Sequence, residues 1–365
     1  MRQSIRCSGP CALIVALMAT GCGTTPREPT APHAASADSA SRVARPTYNT
    51  GHGLFVRDGK LYDSNGVEFR IRGVNLWHYD STEHSGPGIA RSNANAVRVP
   101  LDVPSVPTST FVSTVQTYLS EQVVVIPTIF RVPGSRRPLG RSASTADLAA
   151  TVENWVTNFG YYAAMEHHLI INVANEWGPR ASETWALAYE RAIARLREAG
   201  YRVPIMIDSG GWGQDTGDLL RYAKVVFDSD PQKNVIFSFH VYRGLGDAWT
   251  PTSLNVFALQ LKALSASAGM VFVFGEFGPG RNIGPSATML TPQQVIRAAE
   301  AAGIGWMGWA WDANNLPDGA SNNDGFSMTL HGPGIYILPA DLTTYGKEMV
   351  LSNYALACAQ KATDF

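Results

Sequence analysis

Glu176, in Asn175-Glu176-Trp177, and Glu276, in Gly275-Glu276-Phe277-Gly278, each follow closely on a short and almost continuous apolar run, LIINVA (169–174) and MVFVF (270–274). Runs of this kind read as strands buried on both faces, so each strand delivers one carboxyl group at its C-terminal tip. Two carboxyl groups that face each other suit glycoside hydrolysis, in which one protonates the leaving oxygen while the other attacks or stabilises the anomeric carbon. At the ends of other apolar runs stand Asn75, Arg98, Asn175, His240, Tyr242, Trp309 and Trp311. Taken singly, each has an ordinary structural explanation as a rim salt bridge, a core histidine or a packing ring. As a constellation at several strand ends they define a site. This chemistry requires no cofactor and no metal.

For these residues to meet, the elements that carry them must converge. Apolar runs at 70–76, 94–100, 123–130, 169–176, 203–209, 235–242, 270–276 and 303–311 alternate with helical patterns at 111–119, 148–159, 218–226, 256–266, 292–302 and 343–357. A further helix has Ser182 as its N-cap and Trp185, Ala188, Tyr189, Ala192, Ile193 and Leu196 on one face, and Gly200 ends it. Only the first crossover, 81–93, is poor in helix signal. Alternating strands and helices argue for a parallel sheet of the α/β class, and eight repeats predict a closed (β/α)8 TIM barrel, whose active groups sit at the C-terminal ends of the strands. Only the fifth strand end is poor in candidates. The first strand runs into RGVNLW (72–77) with no GxGxxG or Walker sequence, which argues against nucleotide chemistry. The turn dipeptides Asp58-Gly59 and Asn65-Gly66 predict a small N-terminal β-hairpin at the bottom of the barrel.

The 365 residues exceed the roughly 250 that such a barrel needs. Residues 1–21 read as a lipoprotein signal peptide: Arg2 and Arg6, the apolar CALIVAL (11–17), then ATGC (19–22), which resembles a lipobox. Cys22 would carry lipid, placing the protein in the cell envelope, facing outward or into the periplasm; secretion is the alternative. Residues 22–50, rich in Thr, Pro, Ala and Ser, read as a flexible linker that does not pack, ahead of a catalytic domain at 51–365. Cys358 is left standing alone, and no CxxC or His spacing offers a zinc site. A net charge of −1 with 16% charged residues argues against nucleic acid and for a neutral partner, and no protein partner is evident.

The stretches RGVN (72–75), NAVRV (95–99), ANEW (174–177), SFHVY (238–242), GEFG (275–278) and GWMGWAW (305–311), in this order, resemble glycoside hydrolase family 5, and within it the bacterial endo-β-1,4-mannanases. The resemblance covers nearly all of 54–330. It implies a retaining endo-glycosidase with Glu176 as acid/base and Glu276 as nucleophile, acting on mannan or glucomannan. It further implies that Arg98 and Tyr242 contact Glu276, that Asn175 binds the sugar 2-hydroxyl, that His240 lies beside Glu176, and that Trp309 forms a sugar platform. Asn75 and Trp311 are expected to join the substrate-binding set. An endo-β-1,4-glucanase and a catalytically silent carbohydrate-binding lipoprotein are the alternatives. Two positions depart from the family: Phe130-Arg131 stand where these relatives have His-Asp, and Asp312 where they tend to have Lys. The first removes a polar sugar contact.

Overall fold

A computed structural model describes residues 42–76, 82–101, 108–242, 249–279, 290–312, 326–330 and 339–365. The expected leader and Cys22 lie outside the described residues.

Two antiparallel strands, β1 (Phe55–Arg57) and β2 (Lys60–Tyr62), form the expected hairpin around Asp58-Gly59. Eight parallel strands then close into a barrel: β3 (Arg72–Asn75), β4 (Ala96–Leu101), β5 (Val124–Ile129), β6 (Ile171–Asn172), β7 (Ile205–Asp208), β8 (Val235–Val241), β9 (Val271–Phe277) and β10 (Gly305–Gly308). Closure comes from β10 pairing with both β9 and β3. Every residue of β4, β5 and β8 is buried, because one face fills the barrel and the other meets the helices. The amide of Val56 donates to Asn234 Oδ1, just before β8 begins, so the hairpin sits at the N-terminal, bottom end.

Helix boundaries follow local chemistry. Thr291 caps a helix at Pro292–Ala302, Pro292 occupies its first turn, and Gly303 at φ 76° ends it. Ser182 caps Glu183–Glu198, which buries the expected apolar face from Trp185 to Leu196. The first crossover departs from expectation by forming a helix, Thr82–Arg91, despite Pro87 within it. Gly86 there lies against Thr117 and Tyr118 of the next helix, and Ile89 is fully buried, so close packing outweighs the poor propensity of Gly and Pro.

Other expectations are corrected. Residues 43–50 do pack: Val43 donates to the Gly66 carbonyl, Thr50 donates to Gln232 Oε1, and Asn49 is buried. Small polar residues still carry a full set of backbone groups, and these find partners on the barrel base. Cys358 is disulfide-bonded and does not stand alone. The fourth barrel strand is the shortest, only Ile171–Asn172 of the expected 169–176. Beyond it the chain turns out of the ladder, and this irregularity builds the site.

Candidate active site

Arg98 organises the mouth of the barrel. It is fully enclosed, and its guanidinium uses each of its donor groups: Nε to Asn172 Oδ1 at 2.8 Å, Nη1 to Asn75 Oδ1 and Glu276 Oε1, and Nη2 to Asn175 Oδ1 at 2.6 Å and Asp208 Oδ2 at 3.2 Å. A planar fork with five N–H groups can hold five acceptors in one plane, which a lysine could not do. Five barrel strands, β3, β4, β6, β7 and β9, are thereby tied together by one side chain.

Asn75 is fixed on its other side, where Nδ2 donates to the carbonyls of Gly275 and Gly308. Arg98 contacts Glu276 as expected, whereas Asn75, expected at the sugar, is instead buried behind Glu276 and braces Arg98, so the two hold the carboxylate in place. Tyr242 closes the remaining side of Glu276, its hydroxyl donating to Oε2 at 3.0 Å. Asn175 Oδ1 is occupied by Arg98, so its NH2 is the end left to meet a hydroxyl from the opening.

Glu176 leaves the strand with φ 55°, in the left-handed region. A non-glycine residue held there stores strain, and surrounding contacts must over-determine it. Its own amide donates to Asp208 Oδ2 at 3.0 Å, and its carboxylate meets His240 Nδ1 at 2.9 Å. One carboxylate oxygen from each glutamate and a ring nitrogen of His240 all lie within 4.8 Å of one another. Burial raises the pKa of Glu176; the hydrogen bond and charge of His240 oppose this, and the charges of Glu276 and Asp208 reinforce it. For His240, burial works against the charge, but Glu276 and Asp208 outweigh it and push the imidazole up to about 10. Two carboxylates in unlike surroundings with an imidazole between them suit proton transfer.

Behind His240, Gly213 (φ 68°) packs so closely that a Cβ there would lie 2.6 Å from the ring Cγ. The loop bearing Gly213 is clasped by Asp218, which accepts from the amides of Ser182 and Gly210. Trp309 is half-buried at the mouth and stacks with Phe130. Trp311 does not join it: its ring is wholly buried in the core, and its amide donates to the Asn75 carbonyl. Asp312 is likewise buried, accepting from Ser85 Oγ at 3.1 Å.

Two residues escaped the sequence reading. Asp208 ends β7, the strand end judged poor in candidates, and Asn172 lies inside the apolar run before Glu176. Both are buried polar groups in otherwise apolar strands, and that alone marks them as needing partners.

A family model described as Cellulase (glycosyl hydrolase family 5) matches residues 62–315. A mannan endo-1,4-beta-mannosidase of Salipaludibacillus agaradhaerens is 30% identical over 269 residues, 72% of this chain and 82% of that one. One of Streptomyces lividans is 31% identical over 276 residues, 72% of this chain and 67% of its own. A solved mannotriose complex of Thermomonospora fusca β-mannanase superposes with a TM-score of 0.70 at 27% identity, covering 85% of this chain and 98% of that one.

Proposed function

This chain belongs to glycosyl hydrolase family 5, a retaining family, and from that premise we propose that it is an endo-β-1,4-mannanase in which Glu276 is the nucleophile and Glu176 the acid/base. The observation that carries the assignment is the 4.8 Å cluster of the two carboxylates with His240, since retaining enzymes hold their carboxyl groups about 5–5.5 Å apart and inverting ones wider. Glu276, aimed by Arg98 and Tyr242, attacks the anomeric carbon while Glu176 gives its proton to the departing oxygen. A glycosyl ester on Glu276 results. Glu176, now a carboxylate, takes a proton from water, which attacks the same carbon and releases Glu276. The two glutamates differ in environment as their roles demand: burial favours a protonated Glu176, whereas Glu276 receives an Arg and a Tyr donor. Mannan as substrate rests on the named relatives. Product analysis from mannan, glucomannan, cellulose and xylan tests it: short manno-oligosaccharides are expected, and cello-oligosaccharides alone would make the chain an endoglucanase instead.

For location we propose that the leader is removed and that Cys22 carries lipid, holding the barrel at the cell envelope. Among the described residues no helix is long and apolar enough to cross a membrane. Lipid mass on the N-terminal peptide, and movement to the soluble fraction or retention as precursor in Cys22→Ser, are expected; fully processed Cys22→Ser protein that stays in the membrane fraction would overturn the anchor.

A further inference from the structure

We propose that Asp208 is the standing counter-charge of this site, the anion that holds Arg98 in place and keeps His240 charged while the working negative charge moves from Glu276 to Glu176 and back. The inference rests on the glycosidase reading above and goes beyond it.

Charge balance through the cycle motivates it. Before reaction Glu276 is a carboxylate and Glu176 carries a proton. The attack forms a C–O bond to Glu276, breaks the glycosidic C–O bond, and sends the Glu176 proton to the leaving oxygen. Glu276 is then a neutral ester and Glu176 a carboxylate, so the negative charge has crossed the site. Arg98 and His240 stay behind as cations throughout. His240 is placed to face either bearer of the moving charge, with Nδ1 2.9 Å from Glu176 Oε1 and 3.6 Å from Glu276 Oε2. Arg98 has no such second choice: it touches Glu276 but not the Glu176 carboxylate. Its fixed partner is Asp208.

Asp208 is built for permanence. Its side chain is wholly enclosed. The groups at hydrogen-bond distance are all donors: Arg98 Nη2 from β4, Asn172 Nδ2 from β6, and the Glu176 amide from the turn beyond it. From β8, His240 presents Nε2 at 3.6 Å. The remaining titratable neighbours are the Glu176 carboxyl, Tyr189 of the helix Glu183–Glu198, and Glu276 across the imidazole. No reacting atom of the sugar can reach Asp208, so it is a positioning residue. Burial works against its charge, but His240 and Arg98 outweigh burial and hold its carboxyl well below the usual range.

Two arms test this on the full-length enzyme. In the first, an activated 2-deoxy-2-fluoro aryl β-mannobioside traps the ester on Glu276, and the ring nitrogens of His240 are followed by 15N NMR from pH 5.5 to 9. His240 is expected to stay imidazolium in free and trapped enzyme alike. Titration near the ordinary value of about 6.5 in the trapped form would overturn the proposal, since Asp208 would then not hold the charge even with the Glu176 carboxylate beside the ring. In the second, Asp208→Asn in the free enzyme is expected to lower the His240 pKa by one unit or more and to slow ester formation by about 100-fold. An unmoved His240 pKa in a folded variant overturns the proposal and leaves Asp208 a mere brace. If the variant does not fold, the same titration in trapped Glu176→Gln decides, because Asp208 is then the anion left beside the ring: an imidazolium upholds the proposal and a neutral ring overturns it. If the wild type takes no label, the glycosidase reading falls and the free-enzyme arm still judges Asp208.

Discussion

Phe130 stacks on Trp309 with ring centroids 6.0 Å apart and planes 28° from parallel, and the same ring lies 5.0 Å from Cζ of Arg98. The residue that departs from the family pattern therefore lines the mouth, between the expected sugar platform and the guanidinium that holds Glu276. An aromatic contact of this kind contributes about 0.5–1.5 kcal/mol, so Phe130→Ala should lower kcat/KM by roughly 2- to 10-fold. Phe130→His should raise kcat/KM on mannan relative to glucomannan by restoring a polar partner for a sugar hydroxyl. Parallel losses on both polysaccharides would mean that the ring only packs.

Glu176→Ala should lose activity on polysaccharide by about 100-fold or more, yet form glycosyl-enzyme at a near-normal rate from an aryl glycoside whose leaving group needs no proton. Burst kinetics on the two substrate types check this. Equal losses on both would contradict the acid/base role.

The barrel was legible because its strands are buried on both faces and so read as unbroken apolar runs, as in VIFSFHV of β8. Helix 292–302 was legible to the residue because Thr291, Pro292 and Gly303 mark its ends. Glu176 and Glu276 stood out as acids ending such runs. Asp208 ends one too, but Asp-Ser-Gly reads equally as a turn, and its role exists only through Arg98, His240 and Glu176, 110, 32 and 32 positions away. Trp311 misled for a related reason. Two residues apart means the same side only in a regular strand, and β10 stops at Gly308. Residues 43–50 packed because composition reports on side chains and is silent about backbone partners.

Gly213→Ala should place a methyl group against the His240 ring in a backbone conformation costing about 1–2 kcal/mol for a non-glycine residue. The ring must shift off Glu176, so kcat should fall by about 10- to 100-fold while the fold survives. Kinetics alongside thermal melting check it. Normal kcat with a lowered Tm would show that the ring has room to move.

His240 also makes stability depend on pH. Its folded pKa, about 10, lies above the ordinary 6.5, so its contribution is present in full below 6.5 and is lost as pH rises through 10. The Tm difference between wild type and His240→Gln should therefore shrink between pH 7 and 11. Other titrating groups largely cancel in that difference. A gap that stays constant or widens would contradict the charged imidazole.

The division of labour between the two glutamates is tested most directly by labelling. Wild-type enzyme inactivated with the activated 2-deoxy-2-fluoro aryl β-mannobioside is digested and its peptides sequenced by mass. The account predicts one fluoromannobiosyl group, on Glu276 within GEFG (275–278), with reactivation by water or an added sugar acceptor. A label on Glu176, or inverted anomeric configuration of the products without any label, would contradict it.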